Sequence, residues 1–434
     1  MNKSLYIVAF SLAFATTGIA QNNEGQDKTV DLGTQTTTEL RKTQAVSTIY
    51  SDELDKNATT SPYNAIYGLL PGLTVMQNTS WGTDKSRLNV RGRGSLNGDT
   101  PLFVVDGFAR PIEYINLSEI ESISVLKDGA ATALWGGRGA NGVVLITTKR
   151  GMYSKKEIKV DYKFGLGLPV NQPEFADAYT YAKARNEALR YDGLQPDMDE
   201  ASFLAGGNSD LYPNVDWQKE ALRNHTTSHQ LDITFRGGGK RLRYFSVLNY
   251  KNDMGLLNSK YTDYTDRYNS QMKKYFLNLR MNLDVDITDA TKLKLNMLGM
   301  LRETKRPTTS EATLFEQIFN TPSAAFPVQT QNGLWGSNNV LKTNPIANLA
   351  DVGYYKLNQR MLQADLRLIQ DLSVLTRGLS AELAIAYDNN ATYQETAKKS
   401  FMYQTIEKGT DGEPVYTNYG NPNDELEISN KGLA

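Results

Sequence analysis

Three groups of residues in this chain have types and spacings from which chemistry could be built. The stretch IESISVLKDGAATALWGGRGANGVVLITTKRG, residues 120–151, sets Gly136, Gly137, Gly139 and Gly142 between two β-rich runs. Such a cluster reads either as a phosphate-cradling loop or as the turns of a compact unit packed inside something larger. The phosphate reading fails elsewhere in the chain. Gly237-Gly238-Gly239-Lys240 continues with Arg241, and Thr234 stands where a Walker loop needs its first glycine. Gly92, Gly94 and Gly98 miss the dinucleotide spacing by one residue and lack a βαβ setting. In the second group His225 and His229 stand four apart, but no Glu lies between them, and Ile233-Thr234-Phe235 marks entry into a strand. The third group is acidic. Asp197, Asp199, Glu200 and Asp216 could supply a carboxylate pair for glycoside hydrolysis, or serve as ordinary loop acids. Trp81, Trp135, Trp217 and Trp335 suit either sugar stacking or packing.

Bulk properties narrow the field. The 434 residues exceed one average domain. With 47 basic and 48 acidic residues there is no basic excess to hold a phosphate backbone, so no nucleic-acid partner is expected. Cysteine is absent and histidine numbers 2, which excludes disulfides, thiolate metal sites and cysteine nucleophiles. No cofactor, metal site or enzymatic activity is expected.

The N-terminus explains where the protein works. Lys3 precedes the apolar run Leu5 to Ala15, and Gly18 and Ala20 supply small residues before Gln21, as in a secretory signal peptide over 1–20. Beyond it no apolar run has the length of a transmembrane helix. That leaves an exported β-protein in water or a β-barrel in a membrane.

The elements that position the glycines follow in order. Residues 21–44 are polar and read as a flexible leader, with Thr29-Val30-Asp31-Leu32 as an extended patch. Residues 45–151 read as a compact, glycine-rich α+β unit. Pro62 to Gly72 forms a short helix closed by turn residues, Leu102-Phe103-Val104-Val105 a strand buried on both faces, and Asp106-Gly107 a hairpin turn. From 155 to 434 the texture changes to alternating strands near 157–166, 229–236, 242–251, 273–285, 291–302, 360–370, 379–388 and 391–404. Segments 171–227 and 303–359 are long and rich in Asn, Pro, Gly and Tyr, whereas Thr288-Asp289-Ala290 is a short turn. Strands of about ten residues with unequal loops favour an outer-membrane barrel, with a soluble sandwich as the alternative.

These motifs resemble those of the SusC/RagA-like TonB-dependent outer-membrane transporters of the Bacteroidetes. The stretch 120–151 is similar to the end of their plug domain, and VRGRGSL (90–96) and PLFVVDG (101–107) to two earlier plug motifs. YPNVDW (212–217), residues 228–255 and NPIANL (344–349) resemble early barrel strands and loops. The resemblance implies an α+β plug followed by antiparallel transmembrane barrel strands, and import of a glycan or peptide through the lipid of the outer membrane. Its implied partners are TonB with the ExbB/ExbD complex and a SusD-like surface lipoprotein. The plug-motif residues carried over are Arg91, Gly92, Arg93, Gly94, Asp106, Gly107, Lys127, Asp128, Gly136, Arg138, Gly139, Asn141 and Gly142.

The implied TonB box is Lys28-Thr29-Val30-Asp31-Leu32, where Asp31 interrupts the family's usual hydrophobic run. An extended segment of this kind can add to a sheet edge through main-chain hydrogen bonds. Arg91, Arg93, Arg138 and Lys127 either pair with acids of the barrel wall as a releasable latch or are ordinary surface charge. Roughly eight strands are visible against the family's ~22, and eight cannot enclose a plug. The chain is therefore expected to be the N-terminal portion of a transporter, unable to transport alone, with an exported glycan-binding β-protein as the alternative.

Overall fold

The computed structural model describes residues 10–12, 29–31, 36–38, 43–56, 59, 61–77, 86–94, 98–153, 156–170, 172–421 and 425–433. Most of 1–20 lies outside them; Phe10–Leu12 runs antiparallel to the first long strand of the wall.

The first unit is a small mixed sheet. β1 (Val46–Tyr50), β4 (Leu102–Val105), β5 (Phe108–Ala109), β6 (Ile120–Leu126) and β7 (Val143–Thr148) lie in the order β1-β6-β7-β4-β5, while β2 (Leu73–Met76) and β3 (Arg87–Val90) form a separate hairpin. The β7–β4 pair is parallel and the others antiparallel. Ile49, Ile66, Leu88, Val105, Ile112, Ile120, Ile123, Val144 and Ile146 close its core. The β4–β5 turn has Asp106 at φ 47 and Gly107 at φ 89, the primed geometry that matches strand twist. The Asp106 carboxylate stabilises this unusual backbone by accepting from Thr148 N at 3.0 Å and Thr148 Oγ1 at 2.6 Å. One expectation needs correction. In β4 only Val104 and Val105 are buried, because the two-residue β5 covers that end alone and leaves Leu102 and Phe103 half-exposed.

The second unit is a wall. β8 (Glu157–Gly167), β9 (Thr226–Gly238), β10 (Leu242–Met254), β11 (Lys273–Asp286) and β12 (Thr291–Pro307) pair in sequence. After the short β13 (Trp335–Ser337), β14 (Gly353–Asp371) and β15 (Ser380–Lys398) continue the meander. β16 (Met402–Lys408) and β17 (Pro414–Gly420) join β13 in a separate sheet, and β18 (Glu427–Leu433) returns to β15.

Two strand expectations are revised. The strands exceed ten residues, reaching 19 in β14 and β15. The segments 379–388 and 391–404 are not two strands: 380–398 is continuous, and 402–408 belongs to the separate sheet. The polar residues at the expected break have partners on the inner side, where Asp388 meets Arg110 and Asn390 meets Tyr114.

The connections are unequal, with short turns over 239–241, 287–290 and 372–379 at one end and long loops at the other. Those loops are ordered. Helices Ala178–Tyr191, Glu200–Ala205, Trp217–Ala221, Glu311–Asn320 and Pro345–Ala350 occupy them, and Trp217, Leu257, Tyr261, Leu314, Phe326, Trp335 and Ile346 share a core.

Alternation gives the wall two faces. Outward, register rows stack from Leu242, Val285, Leu293, Leu368 and Leu383 up to Tyr250, Leu277 and Leu301. Eight residues of rise, about 27 Å, on strands tilted by about 40° give roughly 21 Å, close to the ~25 Å apolar band of an outer-membrane barrel. Among the described residues no second sheet covers this face; Ile158, Leu279, Leu301, Leu362 and Ile385 stay exposed. No helix among them is long and apolar enough to cross a membrane.

Candidate functional site

The inward face of the wall is polar, and the α+β unit docks on it. Gln230, Asp232, Asn249, Asn278, Arg280, Asn282, Asn296, Gln363 and Asp365 are all buried there. Buried polar groups of this kind need hydrogen-bond partners, and the inner unit supplies many of them.

Glu119 is presented by a single 3-10 turn, Leu117–Glu119, whose capping box with Asn116 fixes its backbone. Its carboxylate accepts from Arg280 Nε and Asn278 Nδ2 of β11. Burial pushes the Glu119 carboxyl up from its ordinary value, with Arg280 offsetting part of the effect. Beside it, Asn116 Nδ2 donates to Asp232 Oδ1 at 3.2 Å, and Gln230 Nε2 donates to Asp232 Oδ2 at 2.7 Å.

Arg110 is the second anchor. It follows β5 directly and is only 3% exposed. Nη1 donates to Asp365 Oδ1 at 2.5 Å, and Nη2 and Nε donate to Asp388 Oδ1 at 2.8 and 3.1 Å. Asn296 Nδ2 satisfies the other oxygen of Asp365 at 2.6 Å. Burial disfavours the Arg110 cation, but the bonds to Asp388 and Asp365 outweigh it and the net shift is upward. This two-pronged carboxylate grip suits the planar guanidinium.

Lesser contacts surround the two anchors. Arg367 Nη2 donates to Asp106 O at 3.0 Å, Arg302 Nη2 to Glu113 O at 2.7 Å, and Asn282 Nδ2 to Thr148 Oγ1 at 2.8 Å. Arg150 pairs with Asp284 at 3.3 Å and Glu121 with Arg236 at 3.8 Å. Tyr114 provides an apolar contact against Phe276, Leu298, Met300 and Met361. The interface is thus mainly polar and ionic, a chemistry that holds a domain in place without making a continuous hydrophobic core.

The residues expected from motifs do other work. Arg91 (φ 58) and Gly92 (φ 87) make a tight turn, with Arg91 N donating to Gly72 O at 2.8 Å. Arg93 and Arg87 hold Asp99 at 3.1 and 2.7 Å, and Gly94 is exposed nearby. Lys127 Nζ donates to Ser47 Oγ at 2.6 Å and Pro71 O at 3.0 Å. Asp128 caps the next helix, accepting from Ala45 N at 2.9 Å and Ala131 N at 2.8 Å, and these backbone donors hold its carboxyl below the ordinary value. Gly136 (φ 54) kinks the 3-10 stretch, and Gly139 packs against Thr132 O. Asn141 Nδ2 donates to Gly98 O at 3.2 Å, and Gly142 (φ +90) passes directly over Val90. Arg138 lines an open groove of ≈ 670 Å³ with Arg87, Asp99 and Phe103. Asp106 and Gly107 form the turn that touches Arg367.

Arg93 and Lys127 bind within the inner unit, Arg91 lies beside Asp128, and Arg138 faces the groove. The ionic contact with this wall runs instead through Arg110, Glu119, Glu121 and Arg150. Sequence reasoning missed the two strongest because neither lies in a glycine motif. The available signal was a charge set next to apolar residues: Arg110 after the β5 hairpin and Glu119 before Ile120.

Of the TonB-box candidates, Lys28 and Leu32 lie outside the described residues, and Thr29–Asp31 runs antiparallel to Thr36–Thr38. The rival chemistries find little support. His229 sits on a wall strand with Nδ1 2.7 Å from Tyr162 Oη. Asp199 and Asp216 cap helices, Asp197 pairs with Arg185 at 2.5 Å, and Glu200 accepts from Asn186 at 2.9 Å. Trp217 and Trp335 are buried and Trp135 half-buried, while Trp81 lies outside the described residues. No group of three His, Cys, Asp or Glu able to hold a metal ion occurs among the described residues.

Known proteins are similar to this chain in sequence and in fold. Residues 38–143 match the family model described as TonB-dependent Receptor Plug Domain. Over 281 residues the chain is 28% identical to TonB-dependent receptor P26 of Formosa agariphila, covering 63% of this chain and 26% of that protein. Over 255 residues it is 30% identical to TonB-dependent receptor SusC of Bacteroides thetaiotaomicron, covering 55% and 24%. The chain thus spans about a quarter of the length of these relatives. Its fold is similar to that in the structure of the RagAB peptide importer in the open-open state, with TM-score 0.68 and 20% identity over 86% of this chain and 43% of that one.

Proposed function

We infer that this chain, a SusC-like TonB-dependent receptor, supplies the plug and the first wall strands of an outer-membrane importer for glycans or peptides. The family is one of receptors and transporters. In this reading residues 1–20 direct export, 21–44 form the leader that offers Lys28 to Leu32 to TonB, 45–151 are the plug and 155–434 open the barrel. TonB, energised by ExbB/ExbD, draws on the leader, and a SusD-like lipoprotein delivers cargo to the long-loop end.

The observation that carries this reading is the docking of the plug. Buried charge pairs contribute little net stability, because desolvation offsets their attraction, yet they fix a unique geometry. A plug held through Arg110 and Glu119 is therefore specific in position and releasable when its partners are re-solvated. A plug that seals and then yields requires this balance.

The test uses the complete protein in outer membranes, solubilised in detergent and passed over the immobilised periplasmic domain of TonB. Retention of the intact protein and its loss on deletion of residues 28–32 is the expected result. Equal retention of both, or of neither, defeats the proposal.

A further inference from the structure

The outward face of the wall carries a feature that plug docking does not explain. Above the apolar band, the register aligns Lys273 with Lys305 and Lys305 with Lys356 on three neighbouring strands. Adjacent strands are about 4.8 Å apart, and like charges directly opposite one another are destabilising. One row nearer the band stand Tyr275, Glu303, Asn358 and Tyr393, and within its top row Arg360 sits beside Leu301. Glu303 reaches Lys305 at 3.1 Å and Lys356 at 3.2 Å, so one carboxylate is shared by two lysines. Glu395, opposite Lys356, accepts from Tyr354 Oη at 2.5 Å. Among the described residues, neither Lys273 nor Arg360 has an ion-pair partner. Four cations thus face two acids at the upper margin of the apolar band.

Position identifies the ligand chemistry. The row belongs to the long-loop end, and tyrosines at the level below it mark the boundary between apolar band and head groups. Leu277, Leu279 and Leu301 are exposed directly below these side chains, an apolar surface on which the chains of a lipid could lie with its head group at the row. A dissolved anion would gain nothing from that apolar surface, whereas a lipid is held at both ends.

We propose that Lys273, Lys305, Lys356 and Arg360 form a site for the phosphate head group of a lipid in the outer leaflet. The site rests on the outer-membrane reading, which places the long loops outside. Lys273 and Arg360 supply uncompensated charge, and Glu303 orients Lys305 and Lys356 while limiting their pull. No bond is made or broken.

The complete protein, purified from outer membranes, is placed in nanodiscs of zwitterionic lipid containing either phosphorylated or dephosphorylated lipid A. Retained lipid is counted by native mass spectrometry. The intact protein is expected to retain the phosphorylated form preferentially. Lys273→Gln alone should lower that preference about fivefold, from the usual value of one surface cation. The triple change Lys273→Gln, Lys305→Gln and Lys356→Gln should abolish it, and Glu303→Gln should raise it. Equal retention of both lipids by the intact protein overturns the site, as does a preference that survives the triple change in a correctly assembled barrel. If the complete protein does not assemble in the outer membrane at all, the importer reading falls and the site falls with it. Heat-modifiable migration on gels distinguishes that outcome.

Discussion

Glu119 of the plug and Arg280 of β11 form an ion pair across the interface, and neither side chain is more than 2% exposed. Removing one partner of such a pair strands a buried charge, at a cost of about 3–5 kcal/mol, whereas replacing both with apolar groups costs far less. Arg280→Met should therefore loosen the plug more than the double change Arg280→Met with Glu119→Met. The rate of tryptic cleavage in the plug of the complete, detergent-solubilised protein reads this out. Equal rates for the single and double variants would show that the pair is not coupled.

Two glycines with similar backbone angles should respond differently to alanine. Gly142 has φ +90, and an added Cβ would stand 2.8 Å from Val90 Cβ, a buttressed position between plug strands. Gly92 has φ +87 with open space around it. Gly142→Ala combines backbone strain with overpacking, about 2–4 kcal/mol, while Gly92→Ala carries strain alone, about 1 kcal/mol. Thermal unfolding of the plug in the two variants gives the order directly.

The outward face makes a separate prediction. Leu279 lies within the apolar band, one row below its upper edge, and is 51% exposed. Leu279→Arg should cost about 1–3 kcal/mol of barrel stability in lipid, and far less if the face met water. The heat-modifiable fraction recovered after urea titration in vesicles separates these outcomes.

The loop helices should be sensitive to acid. Arg185 beside Asp197 holds that carboxyl below its ordinary 3.8, its own desolvation opposing. A lowered folded value means that the contribution is present above pH 3.8 and is lost as pH falls through the lowered value. Asp199 is lowered in the same direction by Ser202 at its helix cap. Amide protection over 178–205, corrected for intrinsic exchange, should therefore decline on acidification below that point. Arg185→Gln should flatten the dependence.

Much of the architecture was legible because it is written in local pattern. Ile158, Val160, Tyr162, Phe164 and Leu166 alternate plainly, and Asp106-Gly107 names its own turn. The joining of 380–388 to 391–398 was not legible, since the polar residues there are stabilised by partners far away in sequence. The loops 171–227 and 303–359 read as irregular because Trp217, Leu314 and Ile346 become a core only when three connections meet. The interface was the least legible part. Arg93 and Arg110 are the same residue type, and only the tertiary fold makes one a turn brace and the other an anchor. The lysine row likewise exists only in the register of β11, β12 and β14.

Arg110 reaches Asp388 across 278 positions of sequence, whereas each wall strand pairs with a neighbour in the meander. Synthesis delivers the N-terminal unit first. Its two anchors thus emerge long before the carboxylates and guanidinium that will hold them, and hairpins joined by short turns close much faster than contacts of such span. The plug, the earliest part of the molecule in time, is consequently among the last to be seated. Until β14 and β15 are in place, Asp365 and Asp388 cannot receive Arg110, and water must hold its charge in their stead.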